Sequence, residues 1–198
     1  MAWSDTSYIC KVCDALRPMN DMQSEKPRDR LIAIHEAGHA VVCYLLGYDF
    51  ESVTIIPNPI LESDGAFKRS ITKMPLETRN LDSDQRREWL KDQITIIFSG
   101  AAAVHKYCST ENPAELGIGP DLISAKSLAN MITDSDTEIL QIFTLLSAKA
   151  RRLVTENRNW LAISFLADNL IEKKFINYSE AKKVIVKGLI SDGDASEK

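Results

Sequence analysis

The segment from residue 28 to residue 46 constrains the fold most, because its apolar residues recur at the spacing of an α-helix. Gly47 follows it and predicts the end of this helix. His35 and His39 lie inside the segment, one turn and about 40° apart around the axis, so both imidazoles can reach one point. Gly38 weakens a helix by about 1 kcal/mol relative to alanine, and it indicates close approach of another backbone or a substrate. The apolar stripe consists of Leu31, Ile34, Ala37, Val41, Val42 and Leu45.

The pattern H-E-x-x-H at residues 35–39 is typical of helices that bind Zn²⁺. With 3 histidines in 198 residues, such a match arises by chance in roughly a few chains per thousand. Glu36 lies about 100° from His35 around the axis, where it can reach a metal-bound water. Zinc lowers the pKa of that water to about 7, and a neighbouring carboxylate can take its proton. The pattern predicts peptide hydrolysis with Glu36 as general base; the alternative is a pair of structural histidines.

A catalytic zinc ion usually has three protein ligands, and the two histidines leave the third ligand open. Asp121 is one candidate, in the first turn of a helix that begins at a Gly-Pro pair, although the helix dipole alone also favours a carboxylate there. His105 and Cys108, at the end of the preceding helix, are more commonly structural residues. Cys43, one turn after His39, more often simply packs. The residues alone leave these alternatives open.

Cys10 and Cys13 have the spacing of half a structural zinc site. Such a site needs four ligands, and the chain has no second C-x-x-C pair. Metal binding by the two thiols therefore stays open. We expect all 4 cysteines to be reduced, because their number does not indicate a disulfide framework in a chain of this length.

The composition excludes several classes of protein. The net charge is -4 with a pI of about 5.5, and no dense cluster of Lys or Arg is present, so nucleic acid is not an expected partner. The N-terminus lacks the order of a signal peptide, and no uncharged apolar run reaches the roughly 18 residues that span a bilayer. We therefore expect a cytoplasmic protein without membrane contact. The longest apolar run, residues 94–104, predicts a core helix.

The sequence predicts one mainly α domain with a small β-sheet (α+β). Residues 1–27 form an N-terminal extension that carries the C-x-x-C pair, residues 28–190 form the domain, and residues 191–198 form a disordered tail. Two β-rich runs predict strands, and further helices follow, the last with Ser179 as its cap. The strands are predicted at residues 52–57 and 66–74, and the helices at 84–107, 119–132, 138–156 and 160–173, before the short last one.

Residues 33–42 resemble the zinc helix in the peptidase domain of the FtsH-type ATP-dependent metalloproteases, in which H-E-A-G-H-A is a characteristic string. Residues 53–57 are similar to the strand that follows this helix in the family. Residues 99–103, with the sequence S-G-A-A-A, resemble part of the family's G-G-R-A-A-E-E helix. The resemblance implies an FtsH-like peptidase fold that uses Zn²⁺.

The resemblance continues to residue 190. Residues 117–122, with the sequence G-I-G-P-D-L, resemble the family's G-A-x-x-D-L, whose aspartate is the third zinc ligand. The resemblance thus implies that Asp121 joins His35 and His39 at the metal. Residues 148–185 are similar to the family's C-terminal helices, which implies a helical bundle after the third-ligand helix.

The chain also departs from the family pattern. It has no G-x-x-x-x-G-K-[ST] phosphate loop, so we expect hydrolysis that is independent of ATP. Ala101 stands where the family has arginine, and Val104 and His105 stand where it has acidic residues, so the surroundings of the metal differ.

The sequence therefore predicts a zinc metalloendopeptidase that acts on unstructured peptides or protein segments. We expect such substrates to bind by strand addition along residues 65–72, because main-chain pairing positions the scissile bond without requiring a particular substrate sequence. The alternatives are a catalytically inactive zinc-binding module for regulation or interaction, and a peptidase partner of a separate ATPase, which predicts ring-like self-association as a homo-oligomer or copurification of that ATPase. The predicted substrate-binding residues are Gly65, Ala66, Phe67 and Lys68.

Overall fold

A computed structural model describes residues 27–57, 65–69, 82–109 and 117–191. These residues form six helices and three strands. In chain order they are α1 (Pro27–Leu45), β1 (Phe50–Thr54), β2 (Ala66–Arg69), α2 (Ser83–Cys108), α3 (Ile118–Ala129), α4 (Asp136–Thr155), α5 (Asn157–Lys173), β3 (Phe175–Asn177) and α6 (Tyr178–Ile190).

The prediction of a mainly α fold with a small β-sheet is confirmed. Within the described residues, no helix is both long enough and apolar enough to cross a bilayer. The predicted N-terminal extension with Cys10 and Cys13, the predicted tail beyond residue 191 and the end of the second predicted strand lie outside the described residues.

Helices α1 and α2 pack closely because Gly38 presents no side chain to its neighbour. A Cβ atom on Gly38 would lie 2.7 Å from the Ser99 carbonyl oxygen and 2.8 Å from the Ala103 Cβ. The Ser99 hydroxyl also lies 3.1 Å from the Gly38 carbonyl oxygen, to which it can donate. The close approach that Gly38 predicted is therefore made by the backbone of α2. It brings the helix that carries His35 and His39 against the middle of α2.

Helix α2 separates two apolar clusters. The main core contains the buried apolar residues of α1, β1, β3, α5 and α6 together with Ile96, Ala103 and Val104 of α2. The second core lies on another face of α2 and joins it to α3 and α4. Because α2 packs on both sides, its residues from 93 to 101 are all buried, as the long apolar run predicted. The second core comprises Ile94, Ile97, Phe98, Ala125, Ala129, Ile139, Leu146 and Ala150.

The three strands form an antiparallel sheet in the order β2-β1-β3. Val53 in the central strand pairs with Phe67 on one side and Ile176 on the other. Strand β2 is therefore an edge strand of the described sheet. Strand β3 was not predicted, since three residues are too few to show an alternating pattern.

The start of α6 corrects the predicted cap. The Asn177 side chain, not that of Ser179, accepts a hydrogen bond from the Glu180 backbone N–H at 3.0 Å. Asn177 ends β3 with extended backbone angles (φ −77°, ψ 166°), so the chain enters the helix at the next residue. Ser179 already lies inside the first turn and cannot serve as its cap.

Candidate metal centre

Three side chains from two distant parts of the chain converge beside α2. The Nε2 atoms of His35 and His39 are 3.0 Å apart. The Asp121 Oδ2 atom lies 3.1 Å from the His35 Nε2 and 3.2 Å from the His39 Nε2. Among the described residues, this is the group of histidine, cysteine and acidic side chains whose geometry could hold a metal ion.

Gly100 leaves the space in which the two imidazoles meet. A Cβ atom on Gly100 would lie 2.5 Å from the His39 Nε2 and 2.7 Å from the His35 Nε2. These distances are far inside van der Waals contact, so only glycine fits at this point of α2. The packing of α1 on α2 thus places both imidazoles over a position without a side chain.

The His39 ring is oriented by the backbone of α2. Its Nδ1 lies 2.8 Å from the Ile96 carbonyl oxygen. Because a carbonyl oxygen can only accept, the Nδ1 atom carries a proton, and Nε2 is the atom that faces His35 and Asp121. A hydrogen bond of this kind is what commonly orients a metal-binding histidine. The His35 Nδ1 is buried and has no hydrogen-bond partner among the described residues.

Asp121 reaches the two histidines from the first turn of α3. Gly117, which precedes α3, has a positive φ of 66°, a left-handed conformation that glycine adopts without strain. Burial acts to raise the pKa of Asp121, but the adjacent His39 and His35 lower it to below the usual range of an aspartate. The side chain is therefore an ionised carboxylate, the form that binds a cation.

Glu36 lies beside this group, buried, with an exposed fraction of 8%. Burial raises the pKa of its carboxyl to about 7, His35 acts to lower it, and Asp121 acts to raise it. A Cβ atom on Gly65 would lie 3.1 Å from the Glu36 Oε1, so this carboxyl faces the beginning of β2. A carboxyl group with such a pKa can both accept and donate a proton near neutral pH.

The three convergent atoms fit a zinc ion. Atoms bound at about 2.0–2.1 Å to one tetrahedral Zn²⁺ lie about 3.3 Å from one another. The three observed separations, 3.0, 3.1 and 3.2 Å, are close to this value. Two neutral imidazoles and one carboxylate are also the donors of many hydrolytic zinc sites.

The other candidate ligands do not join the group. The Cys43 Sγ points to the chain after α1, 3.6 Å from the Tyr48 carbonyl oxygen. The Cys108 Sγ lies 3.3 Å from the Val104 carbonyl oxygen, inside the main core. His105 is half-buried in the last turn of α2 and is not among the three convergent side chains.

The predicted substrate-binding residues lie next to this group. Ala66, Phe67 and Lys68 belong to β2, directly after Gly65, and pair with β1. The Phe67 ring stacks on the His39 ring, with centroids 5.9 Å apart and planes at 24°. No prediction from the sequence included this contact or the role of the Ile96 carbonyl. Gly100 is an isolated glycine inside a long apolar helix, and this pattern could have predicted that other side chains approach α2 closely at this position.

Comparison with known proteins gives one relevant similarity. An ATP-dependent zinc metalloprotease FtsH of Cyanidium caldarium is 25% identical over 186 residues, an alignment that covers 79% of this chain and 30% of that protein. This similarity supports a distant relationship to FtsH. The chain spans less than a third of the relative's length. No protein-family model matches the chain.

Proposed function

We propose that the protein is a zinc-dependent metallopeptidase. His35, His39 and Asp121 would hold the ion, and the observation that carries this proposal is the convergence of their three ligand atoms within 3.2 Å of one another. The distant similarity to an ATP-dependent zinc metalloprotease supports the same chemistry. A bound zinc ion would supply a Lewis acid that acidifies water and polarises the peptide carbonyl.

Glu36 is the general base of the proposed reaction. Its carboxylate accepts a proton from the attacking water as the water oxygen bonds to the carbonyl carbon. When the carbon–nitrogen bond breaks, the same carboxyl returns this proton to the leaving amine. Without a metal ion, burial raises the pKa of this carboxyl to about 7. A nearby bound cation would lower this pKa and favour the ionised form that accepts the proton.

The proposed substrate is an unstructured peptide or an unfolded protein segment. The edge of β2 lies beside the group of convergent side chains, since Gly65 is adjacent to the Glu36 Oε1 and Phe67 stacks on His39. An extended peptide that pairs with this edge would use main-chain hydrogen bonds and would cross the site. Most main-chain groups of a folded protein are already paired within it, so folded proteins are expected to resist cleavage.

A Glu36→Gln variant tests this proposal. The change keeps the shape of the side chain but removes the base, so zinc content should stay at wild-type level while peptide cleavage falls by about 10²–10⁴-fold. Glu88→Gln is the matched control, because Glu88 is exposed on α2 and pairs with Lys91. The assay uses a library of unstructured peptides without ATP, which the proposed reaction does not consume.

The same assay separates the alternatives. Bound zinc without cleavage in the wild-type protein would indicate a zinc-binding module instead of an enzyme. Cleavage that appears only with a separate ATPase would indicate the peptidase partner of an unfoldase. Cleavage by Glu36→Gln at the wild-type rate would contradict the role of Glu36 as the base.

A further inference from the structure

A row of four aromatic rings leads from His39 across the sheet to α6. The His39 and Phe67 rings are stacked, with centroids 5.9 Å apart. The Phe67 and Phe50 rings meet edge to face at 5.1 Å, and the Phe50 and Tyr178 rings meet edge to face at 4.9 Å. All three separations lie in the range of favourable aromatic pairs.

The His39 ring needs more than one contact to be held in place. The hydrogen bond from its Nδ1 to the Ile96 carbonyl oxygen fixes the direction of one edge of the ring. The His35 ring also meets it edge to face, with centroids 4.6 Å apart. A tilt would swing the Nε2 atom away from Asp121, and the nearly parallel Phe67 ring, with its centroid 5.9 Å from that of His39, borders the imidazole and opposes this tilt.

Phe67 is itself held firmly. It belongs to β2, where its backbone pairs with Val53 of the central strand. Its ring packs between His39 and Phe50, and Phe50 is buried, with an exposed fraction of 2%. The sheet therefore fixes the position of the Phe67 ring, and this ring in turn constrains the imidazole of His39.

We propose that Phe67 is a positioning residue for His39. Its ring keeps the imidazole in the orientation at which the Nε2 atom meets the other two ligand atoms. This inference rests on the proposed function, in which those atoms hold zinc. Because Phe67 lies on the strand along which a peptide is proposed to pair, it connects the substrate-binding edge directly to a metal ligand.

Leucine substitutions in the full chain distinguish a positioning role from simple filling of the core. Phe67→Leu removes the ring next to His39, whereas Phe143→Leu makes the same chemical change in the second core, where Phe143 packs against Phe98 and not against this row. We expect Phe67→Leu to weaken zinc affinity by about 10-fold or more, as for other residues that orient a ligand, and to change the visible absorption spectrum of the Co²⁺-substituted protein. Phe143→Leu should leave the spectrum unchanged, and Phe67→Tyr should keep both zinc affinity and spectrum.

Phe67→Met is the second variant, because its flexible side chain fills a similar volume without a flat face, so it covers the case in which Phe67→Leu does not fold. Zinc affinity and Co²⁺ spectra at wild-type values in both variants would overturn the proposal. An equal loss of affinity in Phe143→Leu would also overturn it.

A measurement on metal-free protein separates this inference from the proposed function. Nuclear Overhauser cross-peaks between the ring protons of His39 and His35, whose centroids are 4.6 Å apart, report the orientation of the imidazole, and these NMR signals should weaken in Phe67→Leu and remain in Phe143→Leu. Wild-type protein that binds no zinc would contradict the proposed function, and the NMR signals would then decide the inference alone. Unchanged His39 signals in metal-free Phe67→Leu would overturn it.

Discussion

Gly100 determines how closely the two imidazoles can approach each other. It lies in the middle of a buried helix, where glycine costs about 1 kcal/mol relative to alanine, so its presence needs a local reason. The reason is the space that His35 and His39 occupy, since a Cβ atom would lie 2.7 Å or less from both Nε2 atoms. At this position the close approach of the two imidazoles favours glycine, whereas the stability of the helix favours alanine.

We predict that Gly100→Ala loses zinc binding, because the added methyl group displaces both imidazoles. Gly119→Ala is the matched control, since a Cβ atom there meets no atom of the described residues within 4 Å. Zinc content of the purified variants, measured by atomic spectroscopy, should be near zero for Gly100→Ala and at the wild-type level for Gly119→Ala. Full zinc occupancy in folded Gly100→Ala would show that the ion binds elsewhere.

The sequence predicts part of the metal centre at the residue scale. His35, Glu36 and His39 follow from local spacing, because one turn of helix relates them. Asp121 is 86 residues from His35, and only the family resemblance singled it out from the other candidate ligands. The contacts of His39 with the Ile96 carbonyl and with Phe67 depend on the packing of separate elements, which no local pattern encodes.

Helix α3, which carries Asp121, is weakly anchored. Its buried residues are Ala125 and Ala129, which offer little apolar area, while Leu122 and Ile123 have exposed fractions of 43% and 72%. Asp121 bridges this helix to α1, so a metal ion at the three side chains would tie the second core to the main core.

Removal of the metal should therefore loosen α3 selectively. Hydrogen exchange of its backbone amides should become faster after chelation, because a bound ion stabilises only the docked form. Amides of α5 and α6, which pack in the main core, serve as the internal control and should exchange at unchanged rates. Equal acceleration in all helices, or none in α3, would contradict this prediction.

Helices α5 and α6 are held together by a close approach at Gly188. A Cβ atom there would lie 2.7 Å from the Ala162 backbone nitrogen and 3.0 Å from its Cβ. The nearest atom is the Ala162 Cα at 2.4 Å, a backbone atom. The cost therefore lies in the upper part of the range of about 1–3 kcal/mol for overpacking and exceeds the gain of about 1 kcal/mol in helix propensity. We predict that Gly188→Ala lowers the free energy of unfolding by about 1–2 kcal/mol, measured by urea denaturation, without change in zinc affinity. Unchanged or increased stability would contradict this packing.

At the scale of the whole molecule, periodicity predicts most of the fold. The helices have strong apolar stripes, and observed bounds such as Ser83–Cys108 and Asn157–Lys173 lie within a few residues of the predicted ones. The order of the strands was not predicted, because β1 lies between β2 and β3 only through pairings with distant residues. The separation of the two cores by α2 was not predicted either, because it also depends on contacts between distant residues.

The central claim is that His35, His39 and Asp121 together bind zinc. The zinc affinities of Asp121→Ala and His105→Ala, measured by competition with a chelator, test it most directly. We predict that Asp121→Ala weakens affinity by several orders of magnitude because it removes a ligand, whereas His105→Ala weakens it by at most about 10–100-fold, as for a residue outside the ligand set. Wild-type zinc affinity in Asp121→Ala, or a larger loss in His105→Ala, would contradict the claim.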